Sequence, residues 1–407
     1  NSNILMYRDS AHGVMKSENG GDTWDQAYTQ INGELYKSRE ENNHAYSIGM
    51  GFHPTDDDRM FLGMTDFGFW EADNEWFRYV ADCNPFESQG RGKAVLLYPE
   101  NHPPNAGDLI MTTQEFNALG LVTGAMDAWD FLIEENGAND IILVSIANEG
   151  GGDETRNIGG LFLKSIDNGK TFQIIGPQCI GCNLFDNGLP SVLTAPETTF
   201  YDIERINGDL FLAAGEHGVY RSQDNGQTWQ NILPSTGGDS FTHIAYKDNI
   251  IYASAGFGYF SPDSHLDGSV HRSTNNGDSG TWEEIISGVD VRGIGVTSDG
   301  AAYFTDYGNG IFKIDAGSST AIEIQDAPGA WGLDAASDDT VYVSVDQKFD
   351  PGNGFGAGVY SYDGVSFTDI TDDLPMLTMF GASMRVNPRN SKEIYVGTWG
   401  GWWKKLV

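Results

Sequence analysis

One eight-residue stretch organises this chain: Ser222-Gln223-Asp224-Asn225-Gly226-Gln227-Thr228-Trp229. In such a stretch the Asp and Asn side chains accept local backbone hydrogen bonds, and Gly takes the positive φ that closes a tight bend. Thr228 and Trp229 then restart an extended strand with a large apolar anchor. The stretch therefore predicts a hairpin turn that joins two β-strands.

The same turn recurs along the chain. Residues 165–172 read Ser-Ile-Asp-Asn-Gly-Lys-Thr-Phe, and residues 273–282 carry a version in which Asn replaces Asp and two residues are inserted. Looser copies occupy residues 17–24 and 361–367. A supersecondary unit that returns at roughly 40 to 50 residues is typical of propeller blades, which bury their faces only against neighbouring copies.

A second repeated unit precedes the turns and predicts the first strand of each repeat. It consists of an aromatic or polar residue, a small or polar residue, and an alternating apolar strand. The copies begin at Tyr46-Ser47-Ile48, Trp129-Asp130-Phe131, Tyr201-Asp202-Ile203, Thr242-His243-Ile244, Arg292-Gly293-Ile294, Trp331-Gly332-Leu333 and Phe380-Gly381-Ala382, with a weaker eighth at Gly92-Lys93-Ala94.

These repeats predict an all-β fold: a single β-propeller domain over residues 1–407, built from four-stranded antiparallel blades. Seven blades are expected, with eight as the alternative because the segment 91–128 has no recognisable turn motif. For ring closure, either the two chain ends interleave in one blade or the natural chain continues beyond this sequence.

The repeated turn resembles the Asp-box hairpin of bacterial-neuraminidase-type repeats, found in sialidases, two-propeller xyloglucan hydrolases and sortilin-type receptors. Sialidase chemistry uses three arginines to grip the substrate carboxylate, and only Arg292 occupies a predicted inner-rim position. The likeness is therefore closer to xyloglucanase and sortilin-type propellers than to true sialidases. Residues 52–70 are similar to the first blade of the xyloglucan hydrolases, which implies a catalytic role for Asp66, although Phe69 replaces an expected Gly.

The charge of the chain excludes several classes of partner. Asp and Glu number 58 against 23 Lys and Arg, for a formal net charge of −35. A field of that sign repels phosphate backbones and anionic lipids, so no nucleic-acid partner is expected.

The sequence contains no run of 18 apolar residues, so no membrane insertion is expected. The Asp-box resemblance implies an extracellular or cell-surface location.

Candidate site residues concentrate on the rim opposite the repeated turns. Long connections between second and third strands occur there at 147–159, 256–267 and 346–358, and long loops on a rigid scaffold commonly carry binding sites. Carboxylates and aromatic residues interleave on this rim, an arrangement that suits sugar rings and hydroxyls. The set comprises Asp66, Glu149, Glu216, Asp263, Asp306 and Asp346 with Tyr46, Trp129, Tyr201, Tyr307, Trp331 and Trp399.

Two functions fit this rim. The first is a secreted glycoside hydrolase on a neutral polysaccharide, in which Asp66 pairs with Glu216 or Asp306 as acid and base or nucleophile. The alternative is a non-catalytic carbohydrate- or protein-binding module, such as an adhesin or an extracellular assembly component. In both cases the ligand-binding residues are predicted to be Tyr46, Trp129, Glu149, Tyr201, Arg292, Tyr307, Trp331 and Trp399.

The expected partner is therefore a polysaccharide or an extracellular protein, and no cofactor is predicted. Two acidic loops would suit a structural calcium ion, because calcium needs several oxygen ligands. Its candidate ligands are Asp346, Asp350 and Asn353 in one loop, or Asp263 and Asp267 in another. The sequence leaves the oligomeric state open.

Overall fold

The computed structural model describes residues 5–9, 13–17, 19, 22, 25–26, 36–38, 47–56, 59–64, 68–73, 76–82, 93–94, 126–148, 161–169, 173–176, 188–190, 200–235, 240–256, 268–346, 356–372, 374, 384–398 and 401–407. All regular secondary structure in these residues is β-strand. The described residues therefore contain no helix that could cross a bilayer.

The amino-terminal strands belong to two kinds of sheet. The strands β1 (Leu5–Asp9), β2 (Gly13–Ser17) and β3 (Asp25–Gln26) form a three-stranded sheet, and β4 (Tyr36–Ser38) follows them. A nine-stranded sheet comes next. Its strands are β5 (Ser47–Phe52), β6 (Arg59–Met64), β7 (Gly68–Asp73), β8 (Trp76–Asp82), β9 (Lys93–Ala94), β10 (Met126–Glu134), β11 (Ile141–Asn148), β12 (Leu161–Ser165) and β13 (Gln173–Gly176).

This nine-stranded sheet consists of two antiparallel four-stranded sets, β5–β8 and β10–β13. One parallel pair, Asp127 with Gly68, joins the two sets. The two-residue strand β9 pairs in parallel with β8. Residues 91–92 and 95–125 of the segment that raised the prospect of an eighth blade lie outside the described residues.

Four further sheets each contain four antiparallel strands that are consecutive in the chain. The first of them contains β14 (Asp202–Ile206), β15 (Asp209–Ala213), β16 (Val219–Ser222) and β17 (Gln230–Leu233). The second contains β18 (Ser240–Lys247), β19 (Ile250–Gly256), β20 (Gly268–Ser273) and β21 (Trp282–Val289), and the third contains β22 (Val291–Val296), β23 (Ala302–Asp306), β24 (Gly310–Ile314) and β25 (Ala321–Asp326). The fourth contains β26 (Ala330–Ala335), β27 (Val341–Val345), β28 (Gly358–Tyr362) and β29 (Phe367–Asp369).

The last sheet combines both ends of the sequence. The strands β30 (Met384–Asn387), β31 (Asn390–Thr398) and β32 (Gly401–Leu406) pair in order, and β4 pairs antiparallel with β32 as the fourth strand. An amino-terminal strand thus completes a sheet made from the carboxy-terminal residues. This pairing is one of the two closures that the sequence left open.

The sheets are arranged as a propeller of four-stranded antiparallel blades. The first strand of each set contacts the first strand of the next, in the order β5, β10, β14, β18, β22, β26 and β30, and β31 contacts β5. The first strands are therefore innermost and surround a common axis.

Packing of the second strands explains why a blade needs two neighbours. Side chains along a strand point alternately to opposite faces. On β15, Leu210 and Leu212 pack into one hydrophobic cluster, whereas Phe211 and Ala213 pack into another. All four side chains are completely buried. Both faces of the strand are apolar because each is covered by an adjacent blade.

The repeated turns are held by short-range hydrogen bonds. The Ser222 hydroxyl accepts a hydrogen bond from the Gly226 amide at 2.8 Å, and Asp224 accepts the Thr228 amide at 2.8 Å. Gly226 has a φ of 89°, as the turn chemistry predicts. The hydroxyls of Ser165 and Ser273 accept the corresponding glycine amides at 2.9 and 3.1 Å. These residues therefore have a folding role, as expected.

Side chains also connect the last blade to the first. The Phe52 and Tyr395 rings meet edge-on with centroids 5.4 Å apart, within a cluster that includes the buried Trp402. At the edge of this interface the Arg389 guanidinium donates hydrogen bonds to the carbonyl oxygens of His53 and Asp56.

Candidate functional site

Predicted ligand-binding residues meet near the axis, at the end where the innermost strands begin. The Trp129 and Tyr201 rings are 4.9 Å apart, and the Tyr307 and Trp331 rings are 5.0 Å apart, each pair edge-on. Trp129 also packs against the hydrophobic cluster that contains Tyr307 and Trp331. We call these four residues the aromatic mouth.

Arg292 lies against one side of the aromatic mouth. Its guanidinium carbon is 4.7 Å from the centroid of the Trp331 ring and 5.3 Å from that of Tyr307, distances at which a cation and a ring attract. Its Nη2 also donates to Asp290 Oδ2 at 2.7 Å. Burial, together with Asp346, raises the pKa of Tyr307 to about 12, so its hydroxyl stays protonated.

The two described candidates for catalysis occupy different environments. Asp306 ends β23 and is buried. Its Oδ1 accepts the amides of Asp290 and Gly308, both at 3.2 Å, and its Oδ2 accepts the Asn309 side-chain amide at 2.6 Å. Burial raises the pKa of Asp306 despite these bonds. Glu216 is exposed in the turn between β15 and β16.

Several predicted site residues fall in other parts of the chain. Asp66, Tyr46, Glu149 and Trp399 lie outside the described residues, as do Asp263, Asp267, Asp350 and Asn353 among the candidate calcium ligands. Within the described ranges, no group of three or more His, Cys, Asp or Glu side chains is arranged to hold a metal ion.

A group of acids deeper in the axis was missed by the sequence reasoning. Asp130 Oδ2 accepts the Ile203 amide at 3.1 Å, Asp202 Oδ2 accepts the Ile244 amide at 2.6 Å, and Asp334 Oδ2 accepts the Val386 amide at 2.8 Å. Each acid thus ties its innermost strand to the next innermost strand. The signal available in sequence was an acid within the apolar alternation at the start of a strand, as in Trp129-Asp130-Phe131 and Tyr201-Asp202-Ile203.

These three acids surround one arginine together with Glu204. Arg385 Nη2 lies 3.5 Å from Asp130 Oδ1. Although burial alone would lower the pKa of Arg385, the carboxylates of Asp130, Asp334, Asp202 and Glu204 raise it. Because those acids come from three strands around the ring, their side chains converge on the axis. We call Asp130, Asp202, Glu204, Asp334 and Arg385 the channel cluster.

Burial disfavours the ionised form of every acid in the channel cluster. It raises the pKa of Asp130 well above its usual range, with the Asp202 charge adding to the effect. It likewise raises the pKa values of Asp202 and Asp334. The pKa of Glu204 rises to about 8, first through burial and then through Asp202. Glu204, with a pKa of about 8, is therefore expected to hold a proton at neutral pH.

The neighbouring His243 remains neutral. Burial, together with the positive charges of Arg385 and Arg292, lowers the pKa of His243 to about 3. Its Nδ1 shares a hydrogen bond of 2.8 Å with the Thr242 hydroxyl. His243 therefore contributes no positive charge that could balance the acids.

Comparison with known proteins supports the architecture. No family model matches the chain, and no curated protein matches its sequence. Among solved structures, YCF48 from Cyanidioschyzon merolae is 13% identical with a TM-score of 0.54, covering 91% of this chain and 99% of that one. A structure of YCF48 bound to D1 peptide is 13% identical with a TM-score of 0.53, covering 94% and 100%.

A second kind of neighbour is an enzyme. The GH74 xyloglucanase from Xanthomonas campestris is 14% identical with a TM-score of 0.56, and the alignment covers 91% of this chain but 53% of the enzyme. This chain therefore spans about half of that enzyme's length. Identities this low establish the fold alone: the chain is an all-β protein with the propeller architecture that these structures share.

Proposed function

We propose that this chain is a propeller-based binding module that recognises an extracellular polymer, either a protein segment or a polysaccharide, at the aromatic mouth. The observation that carries this proposal is the grouping of two edge-on ring pairs and Arg292 at one end of the axis, where Trp129 is the partly exposed ring and the other three are buried. Aromatic residues with a few fixed polar groups are typical of binding sites. The neighbours add support, since YCF48 has a structure bound to D1 peptide and another neighbour is a xyloglucanase.

The test is binding with and without Trp129. Immobilised protein is exposed to a panel of neutral polysaccharides and of peptides, and bound ligand is quantified for wild type, Trp129→Ala and Trp282→Ala. Trp282 is a matched control, because it lies on β21, the outermost strand of its sheet. Trp129→Ala is expected to weaken binding at least about tenfold, since aromatic anchors commonly contribute more than 1 kcal/mol. Equal binding by both variants would refute a site at the mouth.

Glycoside hydrolysis is the second candidate, and one observation favours it. A general acid needs a raised pKa, and burial raises that of Asp306. In this version Asp66 acts with Asp306 or Glu216, and the rim residues hold a neutral polysaccharide. Release of reducing ends by wild type that is lost in Asp66→Asn and in Asp306→Asn would establish it. Undiminished release by both variants would remove these residues from the mechanism.

We further propose that the ring has seven blades, the two sets of the nine-stranded sheet counting as separate blades. The order of contacts among the innermost strands supports this number.

Membership of the Asp-box superfamily is supported by the Ser and Asp hydrogen bonds of the repeated turns. An extracellular or cell-surface location follows from that membership as a proposal. Secretion of the full-length natural protein, followed by immunodetection outside the cell, would test the location.

A further inference from the structure

We propose that Asn136 is a modification site at which the folded protein forms isoaspartate spontaneously and ahead of the other described Asn-Gly pairs. This inference goes beyond the proposed function and does not depend on it. In the reaction, the main-chain nitrogen of the following residue attacks the side-chain carbonyl carbon of Asn. Glycine in the following position allows the attack most readily, because it has no side chain to obstruct the approach.

The reaction at Asn136 needs no reagent other than water. The Gly137 nitrogen forms a bond to Asn136 Cγ and loses its proton, while the bond from Cγ to Nδ2 breaks and Nδ2 leaves as ammonia. Water then opens the resulting succinimide ring. Opening at Cγ gives Asp, whereas opening at the main-chain carbonyl carbon gives isoaspartate, whose main chain runs through Cβ and Cγ and is one carbon longer.

The sequence alone does not single out Asn136, because Asn-Gly recurs along the chain. Both residues of six such pairs lie in the part of the chain that the structure describes. These pairs are Asn136-Gly137, Asn168-Gly169, Asn207-Gly208, Asn225-Gly226, Asn276-Gly277 and Asn309-Gly310. They differ in whether ring closure must first break hydrogen bonds.

In five of the six pairs the Asn side chain is held by a hydrogen bond. These bonds run from the Asp140 amide to Asn168 Oδ1 at 2.8 Å, from Arg205 Nη1 to Asn225 Oδ1 at 2.9 Å, from Asn309 Nδ2 to Asp306 Oδ2 at 2.6 Å, and from Asn207 Nδ2 to Asn276 Oδ1 at 2.8 Å. The last of them holds two of the five side chains. At each of these positions the side chain must leave its partner before Cγ can reach the next nitrogen.

In three of these five pairs the attacking nitrogen is held as well. The amides of Gly169, Gly226 and Gly277 donate to the serine hydroxyls of the repeated turns, and all three glycines are buried. An amide that donates a hydrogen bond must give it up before it attacks Cγ. The bonds that form the repeated turns therefore also protect them from this reaction.

Asn136 has neither restraint. Among the described residues, no hydrogen bond involves its side chain or the Gly137 amide, and both residues are exposed. The hydrogen bond that closes the turn is accepted by the Asn136 main-chain carbonyl, from the Asn139 amide at 3.3 Å. Gly137 has a φ of 67°, and a Cβ built on it would meet nothing within 4 Å. The approach to Cγ is therefore open.

Isoaspartate at Asn136 would alter a turn that connects two sets of strands. Asp140, at the end of this turn, forms an ion pair with Arg59 and accepts a hydrogen bond from His53 Nε2 at 3.1 Å. Arg59 and His53 belong to the β5–β6 hairpin, whereas Asp140 precedes β11. A main chain that is one carbon longer, with a new carboxylate, is expected to shift Asp140 away from these partners. The modified protein should therefore unfold at a lower urea concentration.

The experiment ages the purified protein at mildly alkaline pH and body temperature, once folded and once in concentrated urea. Peptide mapping by mass spectrometry measures deamidation at each of the six pairs. Isoaspartate in each peptide is measured by methyl transfer from S-adenosylmethionine with a protein isoaspartate methyltransferase. In the folded protein, Asn136 should react about tenfold faster or more than the other five, because each of those must break at least one hydrogen bond. In urea the six rates should be similar.

Two variants form a matched pair. Asn136→Gln removes the reactive side chain, because ring closure from Gln forms a larger ring more slowly. Asn139→Gln makes the same change at an exposed Asn of the same turn, which precedes Asp140 instead of Gly. Methyl transfer to the peptide that contains residue 136 should be lost in Asn136→Gln and should match wild type in Asn139→Gln.

Equal rates at Asn136 and Asn225 in the folded protein would overturn the inference. A rate at Asn136 that is far lower in the folded protein than in urea would overturn it too, since folding would then protect this pair. Aged wild type should have a lower urea midpoint than fresh protein, and aged Asn136→Gln should keep its midpoint. An equal loss in both would overturn the effect assigned to the modified turn.

Discussion

Replacing Glu204 with Gln should stabilise the folded protein at alkaline pH. In the folded chain the pKa of Glu204 rises from its ordinary 4.5 to about 8 through burial and the Asp202 charge. Between these values the folded state holds a proton that the unfolded state has released. Stability from this group is therefore fully present below pH 4.5 and is lost as the pH rises through 8. The amide introduced by Glu204→Gln would remain neutral at every pH.

The expected gain in stability follows from the difference between the folded and unfolded pKa values of Glu204. The difference between 8 and 4.5 is 3.5 pKa units, and each unit corresponds to about 1.4 kcal/mol, which sets a ceiling of about 5 kcal/mol. Glu204 is half-buried, so solvent screens part of its charge, and a gain of about 2 kcal/mol at pH 9 is the working expectation. At pH 5 wild type and variant should be equally stable.

Urea unfolding followed by tryptophan fluorescence at pH 5, 7 and 9 would measure this difference. Glu323, an exposed acid on β25, supplies the control. Glu323→Gln should leave the free energy of unfolding unchanged at each pH. The reasoning fails if Glu204→Gln is no more stable than wild type at pH 9. It fails also if the gain is the same at pH 5, because a gain independent of pH cannot come from a proton held in the channel.

Three further substitutions test the packing and the turns by urea unfolding. Gly63→Ala should cost about 3 kcal/mol or more, because a Cβ there would collide with the Ala128 carbonyl oxygen, whereas Gly356→Ala meets nothing within 4 Å and should be neutral. Ser222→Ala should cost about 1–2 kcal/mol, because the Gly226 amide loses its buried acceptor; an unchanged midpoint would contradict this. Arg389→Ala should cost about 1–2 kcal/mol by removing its hydrogen bonds to the His53 and Asp56 carbonyls, of which Asp56 keeps the Arg59 amide as a donor. Wild-type stability would show that the interface between the last and first blades does not depend on Arg389.

The turns and the strand pattern were predictable because their interactions are local. Ser222 forms hydrogen bonds with Asp224 and Gly226, which lie only a few residues away. The order of residues in the sequence is therefore enough to predict the turn. The predicted first strands at Tyr201-Asp202-Ile203 and Arg292-Gly293-Ile294 correspond to β14 and β22. Alternating apolar residues indicate which face of a strand is buried, whatever that face packs against. This pattern allowed the propeller architecture to be inferred.

Only part of the arrangement of the candidate site residues was predictable. Trp129, Tyr201, Tyr307 and Trp331 were selected because they recur at strand ends, and the fold brings them into ring contact. Asp306 and Glu216 were selected for the same reason. Asp306 accepts hydrogen bonds that hold a buried turn, whereas Glu216 is exposed to solvent. Position in a repeat predicts the rim on which a residue lies, but it does not predict what its side chain contacts there.

The channel cluster depended entirely on how the blades close. Three of its carboxylates bond backbone amides 73, 42 and 52 positions away in the chain, and Arg385 on β30 meets Asp130 on β10 only because the ring brings the innermost strands of distant blades to one axis. An acid at the start of a strand looks the same in sequence whether it faces bulk water or an enclosed axis. Turn chemistry acts over a few residues and can be read along the chain, whereas burial and shifted pKa values arise from distant strands and appear only when the ring is assembled.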